Sequence, residues 1–284
     1  MPDFPIVDSH VHLFDINHLQ YDWLSSVPQI NRTHTLQDYD AARGAVEVEK
    51  IIFAEVDVSK GQHLDEASWI QSLADGDSRL CGAVAHAPLT NGLAVERDLE
   101  LLADIPTVKG IRDLMQKQMD QGFCLEPEYI ATLNLLPKYG LSFDICVKHW
   151  GMIFAIELAN RCPDVQFILD HIGKPGIKHQ LMDPWRDQMR ELAKCPNVTC
   201  KISGTITEAD HQTWTTDQVK PYVEHTIDCF GFKRSMFGSD WPVSSLTHAY
   251  PDWVQFLDEV MQGTSEEEQR DFYRNTAILS YRLS

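Results

Sequence analysis

The chain reads as one α/β domain, a (β/α)8 TIM barrel spanning residues 1–284, and three observations predict it. Eight short runs of strand-forming residues follow one another along the sequence, helix-like segments separate most of them, and each run ends on polar or ionisable residues. Strands alternating with helices imply a parallel sheet, and eight such units favour a closed barrel over an open sheet. The length of 284 residues suits one barrel, which typically needs about 250. No G-x-G-x-x-G follows the first run, which counts against a dinucleotide-binding fold.

The runs are Ile6-Val7 continuing to His12-Leu13, then 50–56, 80–86, 108–112, 141–148, 165–171, 198–204 and 235–240. Between them, 93–103 carries apolar residues at helical spacing, and 127–139 places Ile130, Leu133 and Leu136 on one face before Gly140. The apolar segment 152–162 is stopped by Pro163, whose ring cannot continue a helix. After the eighth run, 252–261 reads as the last barrel helix. Ser265 and Glu268 then have capping-box spacing ahead of Phe272, Ala277 and Leu279. Two segments, 14–40 and 205–218, are too long and irregular for simple connections and suit lids over the barrel mouth, with surface decoration as the alternative.

Composition narrows the partners. Twenty-four basic against 42 acidic residues give a net charge of -18, which repels nucleic-acid phosphates and anionic lipid. No apolar run approaches membrane-spanning length, and the amino terminus lacks a basic, then apolar, leader pattern, so a cytoplasmic protein is expected. The 7 cysteines are odd in number and scattered without a C-x-x-C pair, as buried free thiols would be. A small molecule is therefore the expected partner, and an oligomer is compatible with the chain.

In a barrel of this kind, chemistry collects at the carboxyl ends of the strands. The first run ends in His10 and His12, whose spacing of two aims both imidazoles at one face, where they could share one cation, or else merely cap the strand. Asp240, in Phe237-Gly238-Ser239-Asp240-Trp241-Pro242, shares inward parity with Gly238, whose missing side chain would leave room for a ligand. Asp240 could bind a metal, take a proton from water, or cap the next helix. His171 shares inward parity with Phe167 and Leu169, and could be a third ligand or a donor to an oxyanion. Arg112, Lys148 and Lys201 form an expected cationic wall, with structural pairing to Glu55, Asp113 or Asp170 as the alternative. His86 and His149 are candidates for substrate hydroxyls.

These pieces together resemble a known family. The D-x-H-x-H start, Gly110-Ile111-Arg112, Leu169-Asp170-His171-Ile172-Gly173-Lys174-Pro175, Lys201-Ile202-Ser203-Gly204 and the Phe237–Pro242 run are similar to the amidohydrolase-related group of the amidohydrolase superfamily. The likeness covers nearly the whole chain and is greatest with the branch that hydrolyses sugar lactones and muconolactone. The resemblance implies a distorted barrel, a water nucleophile and hydrolysis of an ester or lactone, such as a sugar 1,4- or 1,5-lactone. It places His10, His12, His171 and Asp240 in the metal or catalytic set. The carboxylated lysine that binuclear relatives carry late on strand four has no counterpart beside Arg112, which argues against two metals. One divalent ion, zinc by its donors, is expected, with metal-free catalysis as the alternative. Asp240, His171 and Arg112 are then the catalytic residues, and Lys201, Lys148, His86, Trp23 and Trp241 the substrate contacts. A metal-dependent decarboxylase of an aromatic or unsaturated acid is the rival reading, and a non-catalytic sugar-acid binding barrel a remote one.

Overall fold

The computed structural model describes residues 2–118 and 120–284. Eight strands lie parallel in chain order: β1 (Ile6–Val11), β2 (Val48–Ala54), β3 (Leu80–His86), β4 (Val108–Asp113), β5 (Ser142–Ile145), β6 (Phe167–Leu169), β7 (Val198–Ile202) and β8 (Ser235–Phe237). The sheet returns on itself just beyond β8, where the Asp240 amide donates to the His10 carbonyl at 2.9 Å and the His12 amide to the Trp241 carbonyl at 2.8 Å. Closure of the barrel thus brings together two segments that carry expected site residues.

A buried carboxylate holds that seam. Asp8 accepts hydrogen bonds from the amides of Ser239 (2.8 Å) and His10 (3.3 Å), and from the hydroxyls of Tyr39 (2.9 Å) and Tyr250 (3.0 Å). Tyr39 comes from α1 (Leu36–Arg43), and Tyr250 begins the helix that follows β8. Four donors replace the water that burial removed, which is what a buried carboxylate requires.

The remaining helices are α2 (His63–Ala74), α3 (Glu96–Ala103), α4 (Pro127–Leu133), α5 (Met152–Arg161), α6 (Trp185–Leu192), α7 (Thr216–Phe230), α8 (Tyr250–Val260), α9 (Glu266–Arg270) and α10 (Thr276–Ser280). Several expected boundaries shift for local reasons. The 127–139 segment splits into α4 and a short 3-10 turn, Leu136–Tyr139, in which Pro137 lacks the N–H a continuing helix needs. The loop 14–40 already contains a 3-10 turn, Asp22–Ser26, and the start of α1. There Thr35 donates its amide to Asp38 Oδ2 at 2.9 Å while its hydroxyl caps the Asp38 amide. Likewise 205–218 holds the turn Ile206–Glu208 and runs into α7. The Ser265 cap forms as read, its amide 2.8 Å from Glu268, and starts α9.

Apolar packing divides in two. The larger core fills the space between helices and the outer face of the barrel. Inside the barrel, Val7, Ile52, Val84, Ile168 and Met236 pack on Ala277, Tyr281 and Leu283 of the carboxyl-terminal segment, which plugs the amino-terminal end of the strands. The other end is left to polar groups. The seven cysteines are free thiols. No helix among the described residues is long and apolar enough to cross a membrane.

Candidate active site

The site begins with an irregularity in β1. A register shift between Asp8 and Val11 turns Asp8 out towards α1 and α8 and brings both His10 and His12 to the interior. His12 Nδ1 lies 2.8 Å from the Ala54 carbonyl, which only accepts, so the ring proton sits on Nδ1. The bare Nε2 then lies 3.2 Å from Asp240 Oδ1 and 3.2 Å from His10 Nε2, and His10 Nε2 is 3.7 Å from Asp240 Oδ1. His10 Nε2 also faces the Arg112 guanidinium at 3.2 Å, but the lone pairs of His12 Nε2 and Asp240 Oδ1 meet at 3.2 Å and need a proton or a cation between them. Atoms bound to a tetrahedral zinc at about 2.0–2.1 Å stand roughly 3.3 Å apart, so these donors fit one such ion in spacing and in chemistry. His171 is outside this triad and joins His10 and Asp170 in a neighbouring cluster. Asp170 is already committed there, bonded to Arg112 at 3.0 Å and paired with Lys201 at 3.1 Å.

Asp240 lies three residues past the end of β8 with φ 58°, a left-handed backbone that turns its carboxylate into the mouth. Gly238 shares the inward side as expected, but the room it leaves is taken by protein. A Cβ there would stand 2.9 Å from His10 Cβ and 3.0 Å from Ser203 Cβ, so the glycine lets β1, β7 and β8 close. The glycine that makes space for the carboxylate is Gly204, φ 54°, where a Cβ would strike Asp240 Oδ2 and come within 2.7 Å of His171 Nδ1. Burial works to raise the Asp240 carboxyl, but the neighbouring imidazoles of His171, His12 and His10 outweigh it and hold the group below the usual carboxylate range.

His171 reaches the site by a route that strand parity does not describe. Phe167 and Leu169 belong to the helix-facing core, while Ile168 and then Asp170 point inward. His171 would therefore face outward, except that the chain leaves strand geometry: His171, Ile172, Gly173 and Lys174 have φ of 53°, 49°, 71° and 46°. For the three non-glycine residues this conformation costs about 1–2 kcal/mol each. The turn is held by the Trp185 indole N–H on the Ile172 carbonyl (2.8 Å) and the His149 amide on the Lys174 carbonyl (3.2 Å). His171 Nδ1 meets the Ser203 hydroxyl at 3.0 Å, and burial lowers the ring to about 4, so it is neutral near pH 7.

Beneath these groups lies a buried ion network. Arg112 directs Nε to Glu55 Oε1 (2.7 Å), one terminal nitrogen to the Glu55 carbonyl, and the other to Asp170 (3.0 Å) and His10 Nε2 (3.2 Å). Most of its donors are thus spent within the protein, leaving a positive edge on the cavity. Lys201, expected at a substrate-facing wall, has 0% side-chain exposure. It pairs with Asp144 at 2.6 Å and Asp170 at 3.1 Å, and lies 3.3 Å from His10 Nδ1. The Tyr281 hydroxyl also donates to Asp144, at 2.6 Å. The reason is depth: Lys201 lies within β7, not past its end, so its side chain ends inside the barrel.

A cavity of about 280 Å³ opens over His12, Asp240, His171 and Arg112, with Trp23 on its rim. Trp23 is fixed there by its indole N–H on the Val56 carbonyl at 2.8 Å. The other expected substrate contacts lie elsewhere. Trp241 is buried against Tyr39 and His34, and it serves the barrel seam through its backbone. His86 lines an adjoining lobe with His63, and Lys148 lines another beside Trp150. In their place the cavity presents Gln116, Cys146, Lys174 and Thr207. Lys174 stands inside the quoted Leu169–Pro175 motif, so the motif was visible, but the left-handed turn that aims its end was not.

Comparison with known proteins agrees with this architecture. A family model described as Amidohydrolase matches residues 7–283. An uncharacterized protein of Sinorhizobium fredii is 31% identical over 300 residues, covering 100% of both chains. An L-fucono-1,5-lactonase of Burkholderia multivorans is 26% identical over 298 residues, covering 98% of this chain and 96% of that one. Among solved structures, an amidohydrolase from Burkholderia multivorans with bound zinc superposes with a TM-score of 0.89 at 24% identity, over 99% of this chain and 100% of that one.

Proposed function

From a chain that belongs to the amidohydrolase family, we propose an enzyme that opens a sugar 1,4- or 1,5-lactone to its hydroxy acid. One observation carries the reading: an ionised, buried carboxylate, Asp240, faces a cavity between His10 and His12, at and just past the end of β1, and a neutral His171, with the Arg112 guanidinium at the edge. A base, a polarising environment and a shielded volume are what water attack on an acyl carbon requires. The similarity to an L-fucono-1,5-lactonase supports a lactone as the acyl group.

Asp240 Oδ2, on the Gly204 side, takes a proton from water as the oxygen bonds to the lactone carbonyl carbon. The tetrahedral oxyanion is met by the positive edge of Arg112 and by His171. His171 Nδ1 pairs with the Ser203 hydroxyl, and in the tautomer in which that hydroxyl donates, the single proton of the neutral ring lies on Nε2 as a donor. Cleavage of the ring C–O bond releases an alkoxide that recovers the proton from Asp240, leaving a carboxylic acid that ionises. Where His10, His12 and Asp240 hold a divalent cation, it would supply Lewis-acid polarisation and lower the pKa of water.

Acid release from a panel of aldonolactones, followed with a pH indicator, tests the reading. Wild-type protein should turn over at least one of them, and Asp240→Asn should lose at least about a hundredfold in kcat while unfolding at the same temperature. Near-normal turnover by the variant, or none by wild type on any lactone, overturns it.

A further inference from the structure

The reaction cavity is small beside its neighbour. At about 280 Å³ it lies below the roughly 300–1,000 Å³ that ligand sites span, which is room for one lactone ring and its water. A lobe of about 530 Å³ adjoins it, and Trp23, Asp57, Leu114 and Lys117 border both volumes. On that border the Lys117 ammonium pairs with Asp57 at 2.6 Å. Elsewhere on the wall of the lobe, Thr90, Asn91 and Gln118 are exposed, and their side chains make no hydrogen bond among the described residues. The lobe beside Trp150 is less continuous with the site: among the described residues it shares Thr207 alone with the reaction cavity.

We propose that the lobe bordered by Trp23 and Lys117 is a subsite for a second, neutral sugar unit, which makes the chain a hydrolase of lactones derived from oxidised disaccharides. Charge selects a neutral occupant. Asp22, Asp57, Asp98 and Asp113 line the lobe against Lys60 and Lys117, so a phosphate or carboxylate substituent would meet a surplus of like charge. Hydrogen bonding selects a polyol: carboxylates accept from hydroxyls, the amides of Asn91 and Gln118 both donate and accept, and a sugar offers each role from neighbouring carbons. The Trp23 indole, fixed on the Val56 carbonyl at 2.8 Å, adds an aromatic wall where the two volumes meet. Continuity selects two rings joined covalently. With the lactone carbonyl over Asp240, a glycosyl group on a ring hydroxyl extends across the Asp57–Lys117 border, whereas a single ring leaves the lobe to water. This inference rests on the lactonase reading above and adds a second ring to its substrate.

The test is the ratio of kcat/KM for a disaccharide lactone to that for its parent, in two matched pairs: cellobiono- with glucono-1,5-lactone, and mannobiono- with mannono-1,5-lactone. Wild type should favour the disaccharide lactone about tenfold or more in at least one pair, and a smaller ratio in every pair overturns the proposal. Asn91→Trp, which fills the lobe from an exposed position, should lower the ratio about tenfold, and Asn91→Ala, which leaves the lobe open, should retain more of it. An unchanged ratio in Asn91→Trp also overturns the proposal. Thermal unfolding identifies a variant that fails to fold, and Thr90→Trp then gives the same reading; the ratio, read on folded protein, is insensitive to active fraction. Should wild type hydrolyse no lactone, the lactonase reading falls, and calorimetric binding of cellobionate against gluconate, and of mannobionate against mannonate, decides the subsite by itself. Tighter binding of a disaccharide acid, lost in Asn91→Trp, supports it, and equal or absent binding refutes it.

Discussion

Replacing Lys201 by methionine separates a substrate contact from a buried counter-charge. In the structure its ammonium is the partner of Asp144 at 2.6 Å and Asp170 at 3.1 Å, all three side chains at 0% exposure. Asp170 would keep its bond to Arg112 at 3.0 Å, but among the described residues Asp144 would retain the Tyr281 hydroxyl alone. Removing one partner of a buried pair costs about 3–5 kcal/mol, because the remaining charge is stranded away from water. Burial already pushes the Asp144 carboxyl up, so it would take a proton on losing Lys201, which places the cost near the lower end of that range. For a chain of this length that is a fall in Tm of about 5 °C. The double variant Lys201→Met/Asp144→Leu removes both charges and should recover most of the loss. Chemical denaturation of wild type, the single and the double variant measures all three. If Lys201→Met unfolds within about 1 kcal/mol of wild type and instead raises KM, the lysine is a substrate contact and the argument from burial fails.

Three further outcomes follow from the same geometry. Gly204→Ala puts a Cβ against Asp240 and His171 at a left-handed position, so kcat should fall at least tenfold while the backbone strain costs stability only about 1–2 kcal/mol; steady-state kinetics beside a melting curve check the split, and unaltered kcat contradicts it. Asp240 is held below the usual carboxylate range and His171 at about 4, so the active protonation state, ionised Asp240 with neutral His171, persists as pH falls from 7. The pH profile of kcat/KM should therefore stay level to about pH 5 and drop with a midpoint near 4, and an acid limb centred above 6 would refute the assignment. Elemental analysis of protein loaded with zinc should find about one ion per chain, lost in His12→Ala and kept in His86→Ala; retention in the first variant would remove His12 from the metal set.

The sequence by itself determined the architecture and the address of the site. Eight runs of strand-forming residues with helices between them became eight parallel strands in chain order, because alternation of elements and hydrophobic period are local properties. Strand ends were legible for the same reason, and His10, His12, Arg112, His171 and Asp240 do meet at one mouth. Tertiary structure alone decided direction and depth. His171 enters through a run of left-handed residues that cancels its strand parity, and Gly238 makes room for His10 and Ser203, with Gly204 serving the carboxylate. Lys201 lies within β7, too deep to touch a ligand, and neutralises Asp144 instead, while Gln116 and Lys174 arrive at the cavity from two loops. Composition and period record what a residue's near neighbours require. Which charges pair, and which polar atoms are left open for a ligand, depends on residues far apart in the chain: Asp8 with Ser239, Arg112 with Asp170, and Lys201 with Asp144 meet only when the barrel closes.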